Sequence, residues 1–228
     1  MNQEMKTFQN KKDGILIFLW VGVGYLLFCS ALPSFAANQM AKYFSMNQSL
    51  CYLLFAAVTA VIFIVSLYKG FGEEMELSDN ISPGGIVEAL LVGLVLFFVV
   101  NLVISPVLAQ IFKTSGENYS ESVKVMFQRP VVTFFQVVVL APCMEELIFR
   151  GFLLKRALRW RTTAGAVLIV AAFFGILHLS VVQGLSAFGA GIILCLLYAH
   201  RKSVFLCILA HGFYNGLAYV LTLLGGIL

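Results

Sequence analysis

Three short motifs in the C-terminal half of the chain place carboxylates, imidazoles and an amide inside otherwise apolar stretches. They are Glu145-Glu146-Leu-Ile-Phe-Arg150, Phe174-Gly-Ile-Leu-His178 and His211-Gly-Phe-Tyr-Asn215. An ionisable group inside a membrane costs at least ~2.5 kcal/mol, so such groups are functional candidates. A carboxylate in a low-dielectric site can act as a general base, an imidazole can orient a water, and an amide can donate to an oxyanion. These are the parts of amide hydrolysis, and the motifs contain no Ser or Cys that would favour a covalent nucleophile.

The spacing within the motifs predicts how these side chains are arranged. Glu146 and Arg150 lie four residues apart, so they share one helix face and can pair. A purely structural ion pair that fixes the helix is the alternative interpretation. Pro142 removes a backbone hydrogen bond just before the carboxylates, which predicts a kink and space beside Glu145. The lengths of the intervening segments predict that the three motifs meet at one cavity in the cytoplasmic half of the membrane.

The elements that carry these motifs are predicted to be membrane-spanning helices. Of the 228 residues, 61% are hydrophobic and 11% are charged, whereas soluble domains average about 45–50% and about 25%. About 20 apolar residues suffice to cross a bilayer as a helix. We predict an all-α, polytopic transmembrane bundle of about seven helices, at 14–36, 50–68, 84–112, 131–155, 163–180, 182–199 and 203–225. Residues 1–130 form an N-terminal part with three helices, and 131–228 form the catalytic part with four.

The distribution of Lys and Arg predicts the orientation, because basic residues favour cytoplasmic loops. With the N-terminus in the cytoplasm, the cytoplasmic segments hold Lys6, Lys11, Lys12, Lys69, Arg150, Lys155, Arg156, Arg159, Arg161, Arg201 and Lys202. The opposite side holds only Lys42, Lys113, Lys124 and Arg129. The chain is therefore predicted to be an integral protein of the cell membrane with an extracytoplasmic C-terminus. Membrane lipids are its expected surroundings, and no nucleic-acid partner is expected.

The ordered trio of motifs resembles the CPBP (Abi) family of intramembrane proteases, which includes the type II CAAX prenyl endopeptidases. That family's pattern is E-E-x-x-x-R, then F-x-x-x-H, then H-x-x-x-N in successive C-terminal helices. The resemblance covers about residues 131–222. It implies that Glu145 activates water with His178 as its partner, and that His211 and Asn215 stabilise the oxyanion. Glu146 is implied to act at the same site, supported by its pairing with Arg150.

Two questions stay open at the level of sequence. The first is metal dependence: a metal-free glutamate mechanism is favoured, but a zinc site would use Glu145, His178 and His211. The second is function itself. The favoured function is endopeptidase cleavage of a membrane-associated or lipidated peptide or protein, such as a CAAX-type substrate or a leader peptide. The alternatives are a non-proteolytic bacteriocin self-immunity factor or scaffold, and a proton-coupled transporter. The sequence shows no repeated halves, which argues against transport.

Overall fold

The computed structural model describes residues 3–73, 75 and 81–225, and these residues form eight helices joined by short turns, with no strand. The helices are α1 (3–44), α2 (Gln48–Gly70), α3 (Pro83–Ile111), α4 (Lys113–Phe127), α5 (Pro130–Ala157), α6 (Thr163–Ile176), α7 (Val181–Arg201) and α8 (Val204–Leu223). Within this described part, all helices except α4 and α6 are long and apolar enough to cross a membrane. The predicted all-α polytopic bundle and integral membrane location are confirmed. The two chain termini, whose sides of the membrane were predicted, lie outside the described residues.

Polar side chains fix where most of the helices begin. The first N–H groups of a helix have no partner inside it, and a Ser, Thr or Asn oxygen can accept from one of them. The side chains of Asn47, Ser82, Thr162, Ser180 and Ser203 do this for α2, α3, α6, α7 and α8. These caps explain why the helix starts lie close to the predicted boundaries.

Three elements differ from their predictions. The first helix, predicted at 14–36, extends over 3–44 in α1. The predicted span 163–180 is a shorter helix, α6, because the chain turns at Leu179, which has a left-handed φ of 55°. The polar stretch after α3, predicted as a connection between spans, instead forms α4. Helix α4 is amphipathic: Glu117 and Lys124 are exposed, while Gly116 and Tyr119 face inward.

The chain divides into two compact units, Met1–Glu73 and Glu74–Leu228. In the first unit, α1 packs on α2, and the rings of Phe28 and Phe63 stack with centroids 5.7 Å apart. The second unit contains α3 to α8 and all three motifs. The boundary between the compact units therefore lies before α3. The predicted boundary at residue 130 separates a catalytic part by function, and it stays a prediction.

Within the second unit, the helices other than α4 run alternately in opposite directions between two ends. At the end that we call the α4 end, Ser115 Oγ lies 3.2 Å from Ser180 Oγ, and the Tyr219 hydroxyl donates to the Pro130 carbonyl at 2.9 Å. At the opposite end, which we call the basic end, Glu88 of α3 forms an ion pair with Arg201 of α7. The turn at 158–162 that joins α5 to α6 also lies at the basic end.

Candidate active site

The adjacent residues Glu145 and Glu146 occupy different surroundings. Successive residues of a helix point about 100° apart, since one turn takes 3.6 residues. Glu145 is 7% exposed and lines a cavity of about 240 Å³. Glu146 is 0% exposed and does not line this cavity. One carboxylate therefore faces a space that can hold water and substrate, and the other is enclosed by protein.

Glu146 is the centre of a buried polar cluster. Its Oε1 atom accepts hydrogen bonds from Arg150 Nη1 and from His211 Nδ1, both at 2.8 Å. The ion pair that the four-residue spacing predicts is therefore present. Because a carboxylate paired with a guanidinium can only accept, His211 Nδ1 carries the proton of that bond. Glu146 thus fixes the orientation of the His211 ring.

Arg150 is held by several elements at once. It is fully buried, its Nη2 donates to the Gly191 carbonyl of α7 at 3.3 Å, and its guanidinium lies 4.9 Å from the centroid of the Phe174 ring. Among the described residues, Arg150 Nε and Glu146 Oε2 have no hydrogen-bond partner. Removing either member of a buried pair typically costs about 3–5 kcal/mol, because the other charge stays buried without compensation.

The second nitrogen of His211 faces the other carboxylate. His211 Nε2 lies 4.0 Å from Glu145 Oε2, which is too long for a direct hydrogen bond. A polar separation of this length is one that a single bound water can bridge. The two glutamates therefore face the two nitrogens of one imidazole, Glu146 through a hydrogen bond and Glu145 across a short gap.

His178 reaches the same cavity from the end of α6. Its Nδ1 lies 2.9 Å from the Phe174 carbonyl oxygen. A carbonyl has no proton, so Nδ1 is the donor, and Nε2 is the ring nitrogen that is left for water. The next residue, Leu179, takes a left-handed conformation that costs an L-residue roughly 1–2 kcal/mol. This turn ends α6 and directs the chain into the cap of α7.

Asn215 replaces a hydrogen bond that Pro142 removes. Helix α5 is π-helical over Phe135–Leu140, and the Ala141 N–H donates to the carbonyl five residues earlier, that of Gln136. In this register the next N–H would donate to the Val137 carbonyl, but Pro142 has none. Asn215 Nδ2 donates to the Val137 carbonyl at 2.7 Å instead. The amide is thereby fixed, and its second N–H is left for another acceptor.

Gly212 allows the close approach that this bond requires. A Cβ atom built on Gly212 would lie 3.0 Å from the Val138 carbonyl oxygen of α5, tighter than side chains normally adopt. The Gly in the third motif is therefore explained by packing, one turn before Asn215.

Of the five predicted catalytic residues, Glu145, His178, His211 and Asn215 line the same cavity, and Glu146 lies outside it, bonded to His211. The other residues that line the cavity come from α4, from the C-terminal half of α3, from the N-terminal half of α7 and from the last part of α8, together with Val137 and Ala141 of α5 and Phe174 of α6. On α5 no lining residue lies beyond Glu145 toward the basic end. The motifs meet at one cavity, as predicted, and the predicted position of that cavity in the cytoplasmic half of the membrane stays a prediction. His178 lies at the end of α6 remote from the turn at 158–162, and this places the cavity in the half nearer α4.

Several lining residues were not predicted. Tyr119 of α4 and Tyr214 of α8 line the cavity, and Ser105 and Ser186 form a hydrogen bond of 2.9 Å in its wall. Burial raises the pKa of the Tyr119 phenol, so this group stays protonated. Asn101 Nδ2 is buried and has no partner among the described residues. Asn101 could have been found from the sequence, because it is a polar side chain within a predicted span. Tyr119 could not, because it lies outside the three motifs.

The three residues named for a possible zinc site do not form a recognisable metal centre. Within the described part of the chain, no three His, Cys, Asp or Glu side chains are grouped so that they could hold a metal ion. His178 Nδ1 is engaged with a backbone carbonyl, and His211 Nδ1 is engaged with Glu146. These residues are instead arranged as hydrogen-bonding groups around the cavity.

The geometry agrees with the outcome of a comparison with known protein families. Residues 127–217 match the family model described as type II CAAX prenyl endopeptidase Rce1-like. This segment is Rce1-like. The Rce1-like segment begins at the last residue of α4, includes all three motifs and ends in α8, which confirms the family resemblance that the motifs predict. No curated protein and no solved structure is similar enough to the chain to count as a match.

Proposed function

We propose that the chain is an intramembrane endopeptidase that hydrolyses a peptide bond in a membrane-associated or lipidated peptide or protein. One observation carries this proposal: Glu145, His178, His211 and Asn215 line one cavity, while Glu146 is kept out of it by Arg150 and His211. The match to an endopeptidase family supports the same reaction class.

In the proposed mechanism Glu145 is the general base. A water between the Glu145 carboxylate and the His178 ring attacks the substrate carbonyl carbon, and Glu145 takes the proton that the water loses. The carbonyl oxygen becomes an oxyanion. When the C–N bond breaks, Glu145 returns the proton to the leaving amine. A positioned base typically contributes 10²–10⁴-fold in rate.

His211 and Asn215 are proposed as the oxyanion donors. Glu146 accepts from His211 Nδ1 and can stabilise a protonated imidazole, whose Nε2–H then points toward the cavity side of Glu145. Asn215 has a second amide N–H beyond the one that the Val137 carbonyl accepts. One oxyanion donor is typically worth about 10²–10³ in turnover.

We also infer the orientation of the second unit. The exposed basic residues Arg159, Arg161 and Lys202 lie at the basic end, and basic residues favour the cytoplasm. Arg150, which the sequence count assigned to the cytoplasmic segments, is buried in the ion pair and carries no weight in this inference. The basic end is therefore proposed as cytoplasmic and the α4 end as extracytoplasmic.

The test is to compare the peptides produced in membranes that carry the wild-type chain or Glu145→Gln, using mass spectrometry of new N-termini. The proposal expects cleavage products that depend on the chain and disappear in Glu145→Gln. Glu121→Gln is the matched control, because Glu121 is an exposed residue of α4. If the wild-type chain, Glu145→Gln and membranes without the chain all give the same products, the result would support a scaffold and contradict the proposal.

A further inference from the structure

Two polar side chains of α3 line the cavity, and they differ in their bonding. Ser105 Oγ lies 2.9 Å from Ser186 Oγ of α7. Asn101, one turn earlier on α3, also lines the cavity, but its Nδ2 atom is buried and has no hydrogen-bond partner among the described residues. Polar side chains inside membrane helices commonly form hydrogen bonds across helix pairs. Ser105 therefore serves the contact between α3 and α7, whereas the amide nitrogen of Asn101 is left for another group.

The amide of Asn101 is costly in these surroundings. It lies in the stretch Phe97–Ile104, whose other residues are all apolar. Burying an amide without a hydrogen bond costs free energy, and the membrane interior supplies no water to compensate it. An apolar residue at this position would remove that cost. Such exceptions to the local pattern are expected where a residue serves binding or catalysis.

The distance of Asn101 from the proposed reaction centre follows from the contact between α3 and α8. These two helices run in the same direction, and they meet closely at Gly93, where a Cβ atom would lie 2.6 Å from the Ala210 carbonyl oxygen. Asn101 follows Gly93 by eight residues, and His211 follows Ala210 by one. At about 1.5 Å of rise per residue, Asn101 lies roughly 10 Å beyond His211 toward the α4 end. An extended peptide covers this distance in about three residues.

The chemistry of this wall suits an uncharged amide. The side chain of Asn101 has two N–H donors and a carbonyl acceptor, which match the acceptor and the donor of a peptide group. Among the described residues that line the cavity there is no Lys or Arg. A second carboxylate beside Glu145 would therefore find no ammonium or guanidinium partner, and burying a charge without a partner is unfavourable. A neutral amide needs only the hydrogen bonds that Asn101 can supply.

We propose that Asn101 is a substrate-binding residue, and that its side-chain amide binds an uncharged amide of the polypeptide about three residues from the scissile bond. This inference rests on the proposed function, in which the scissile carbonyl lies beside His211 and Asn215. The bound amide is either a main-chain peptide group or the side chain of an Asn or Gln. Asn101 precedes the Rce1-like segment 127–217, so this contact is additional to the features that the segment shares with its family.

The experiment compares Asn101→Ala with Ser105→Ala, the same kind of truncation one turn away on α3. New N-termini are quantified by mass spectrometry in membranes that carry the wild-type chain, either of these variants or Glu145→Gln. The unfolding midpoint of each purified chain is measured in mixed micelles. Asn101→Ala removes no hydrogen bond from Nδ2 to a described residue, whereas Ser105→Ala removes the bond to Ser186.

We expect the products that depend on Glu145 to fall roughly 2- to 10-fold in Asn101→Ala, which is the factor of one neutral hydrogen bond. They should stay at the wild-type level in Ser105→Ala. The unfolding midpoint should fall in Ser105→Ala and not in Asn101→Ala. A similar loss at every cleavage site identifies a main-chain contact. A loss confined to sites with Asn or Gln about three residues from the cut identifies a side-chain contact.

Unchanged products in Asn101→Ala would overturn the inference. A loss of products together with a lower unfolding midpoint in Asn101→Ala would also overturn it, because that pattern belongs to a structural role. The absence of any product that depends on Glu145 is a different result, and it contradicts the proposed function and the inference together. Because Glu145→Gln is measured in the same series, the two failures are distinguished.

Discussion

The hydrogen bond from Asn215 to the Val137 carbonyl predicts an energetic coupling between Asn215 and Pro142. Asn215→Ala leaves that carbonyl without a donor, because the Ala141 N–H is used elsewhere and Pro142 has no N–H. An unsatisfied buried polar group typically costs about 1–3 kcal/mol. Measured couplings between membrane helices are smaller, averaging about 0.6 and reaching about 1.7 kcal/mol. Since Asn215 is half-buried, we expect Asn215→Ala to lower the free energy of unfolding by about 1 kcal/mol.

The second change supplies the missing donor. Pro142→Ala adds an N–H that can reach the Val137 carbonyl in the π-helical register, or lets the segment return to an α-helical register in which Ala141 reaches it. In either case the carbonyl no longer depends on Asn215. The double variant should therefore be less destabilised than the sum of the single variants, by about the same 1 kcal/mol.

The assay is reversible unfolding in mixed micelles for the wild type, both single variants and the double variant. Thr222→Ala with Pro142→Ala is the matched control, because Thr222 also lies on α8 and lines the cavity but bonds locally to the Ala218 carbonyl. That pair should be additive. Additivity of Asn215→Ala and Pro142→Ala within about 0.3–0.5 kcal/mol would refute the reasoning. Proteolysis should stay low in the stabilised double variant, since the second N–H of Asn215 is still missing.

Three further predictions follow from the site. Glu146→Gln should lower the free energy of unfolding and the purified yield strongly, by about 3–5 kcal/mol, because Arg150 stays buried without its partner; Glu121→Gln breaks an exposed pair and should cost at most about 1 kcal/mol in the same micelle assay. Leu179→Gly should raise stability by up to about 1 kcal/mol, because the left-handed strain of roughly 1–2 kcal/mol exceeds the entropic cost of Gly, roughly 0.5–1 kcal/mol; an unchanged or lower thermal midpoint would contradict this. The purified protein should contain well under one equivalent of zinc and keep its activity under strong chelation; stoichiometric zinc, lost together with activity and restored by zinc addition, would reverse the assignment.

Much of the fold was predictable because apolar length alone identifies a membrane helix. The boundaries of α2, α3, α5, α7 and α8 lie within a few residues of their predictions. Helix α6 was overestimated, since its sequence stays apolar through a turn that only the backbone conformation of Leu179 reveals. Helix α4 was missed as an element because its polar residues resemble a loop, and its inner face is meaningful only against the cavity that it covers.

The sequence predicted that the motif residues meet at one cavity but did not predict the geometry of their contacts. Spacing identified the pairing of Glu146 with Arg150, because both residues lie on one helix. It did not identify the bond from His211 to Glu146 or the bond from Asn215 to Val137, which join different helices. The second of these also depends on a π-helical register, and a sequence pattern of apolar residues does not distinguish that register from an α-helix. To predict which half of the bundle holds the cavity, one would also need the contacts between different helices.

The charges of the site explain why one glutamate is enclosed and the other faces the cavity. Glu146 and Arg150 neutralise each other, and a protonated His211 would balance the charge of Glu145. In the proposed mechanism Glu145 accepts a proton from water, so that a negative charge disappears from its carboxylate and appears on the substrate oxyanion beside His211. The total charge within the low-dielectric bundle is then unchanged during the step, and only its position moves by a few ångströms. Fixed dipoles and charges stabilise such a shift without reorganisation. If both glutamates faced the cavity, Arg150 would lose its partner and the imidazole would lose the group that fixes its orientation, so the division between the two acids is required by the proposed chemistry.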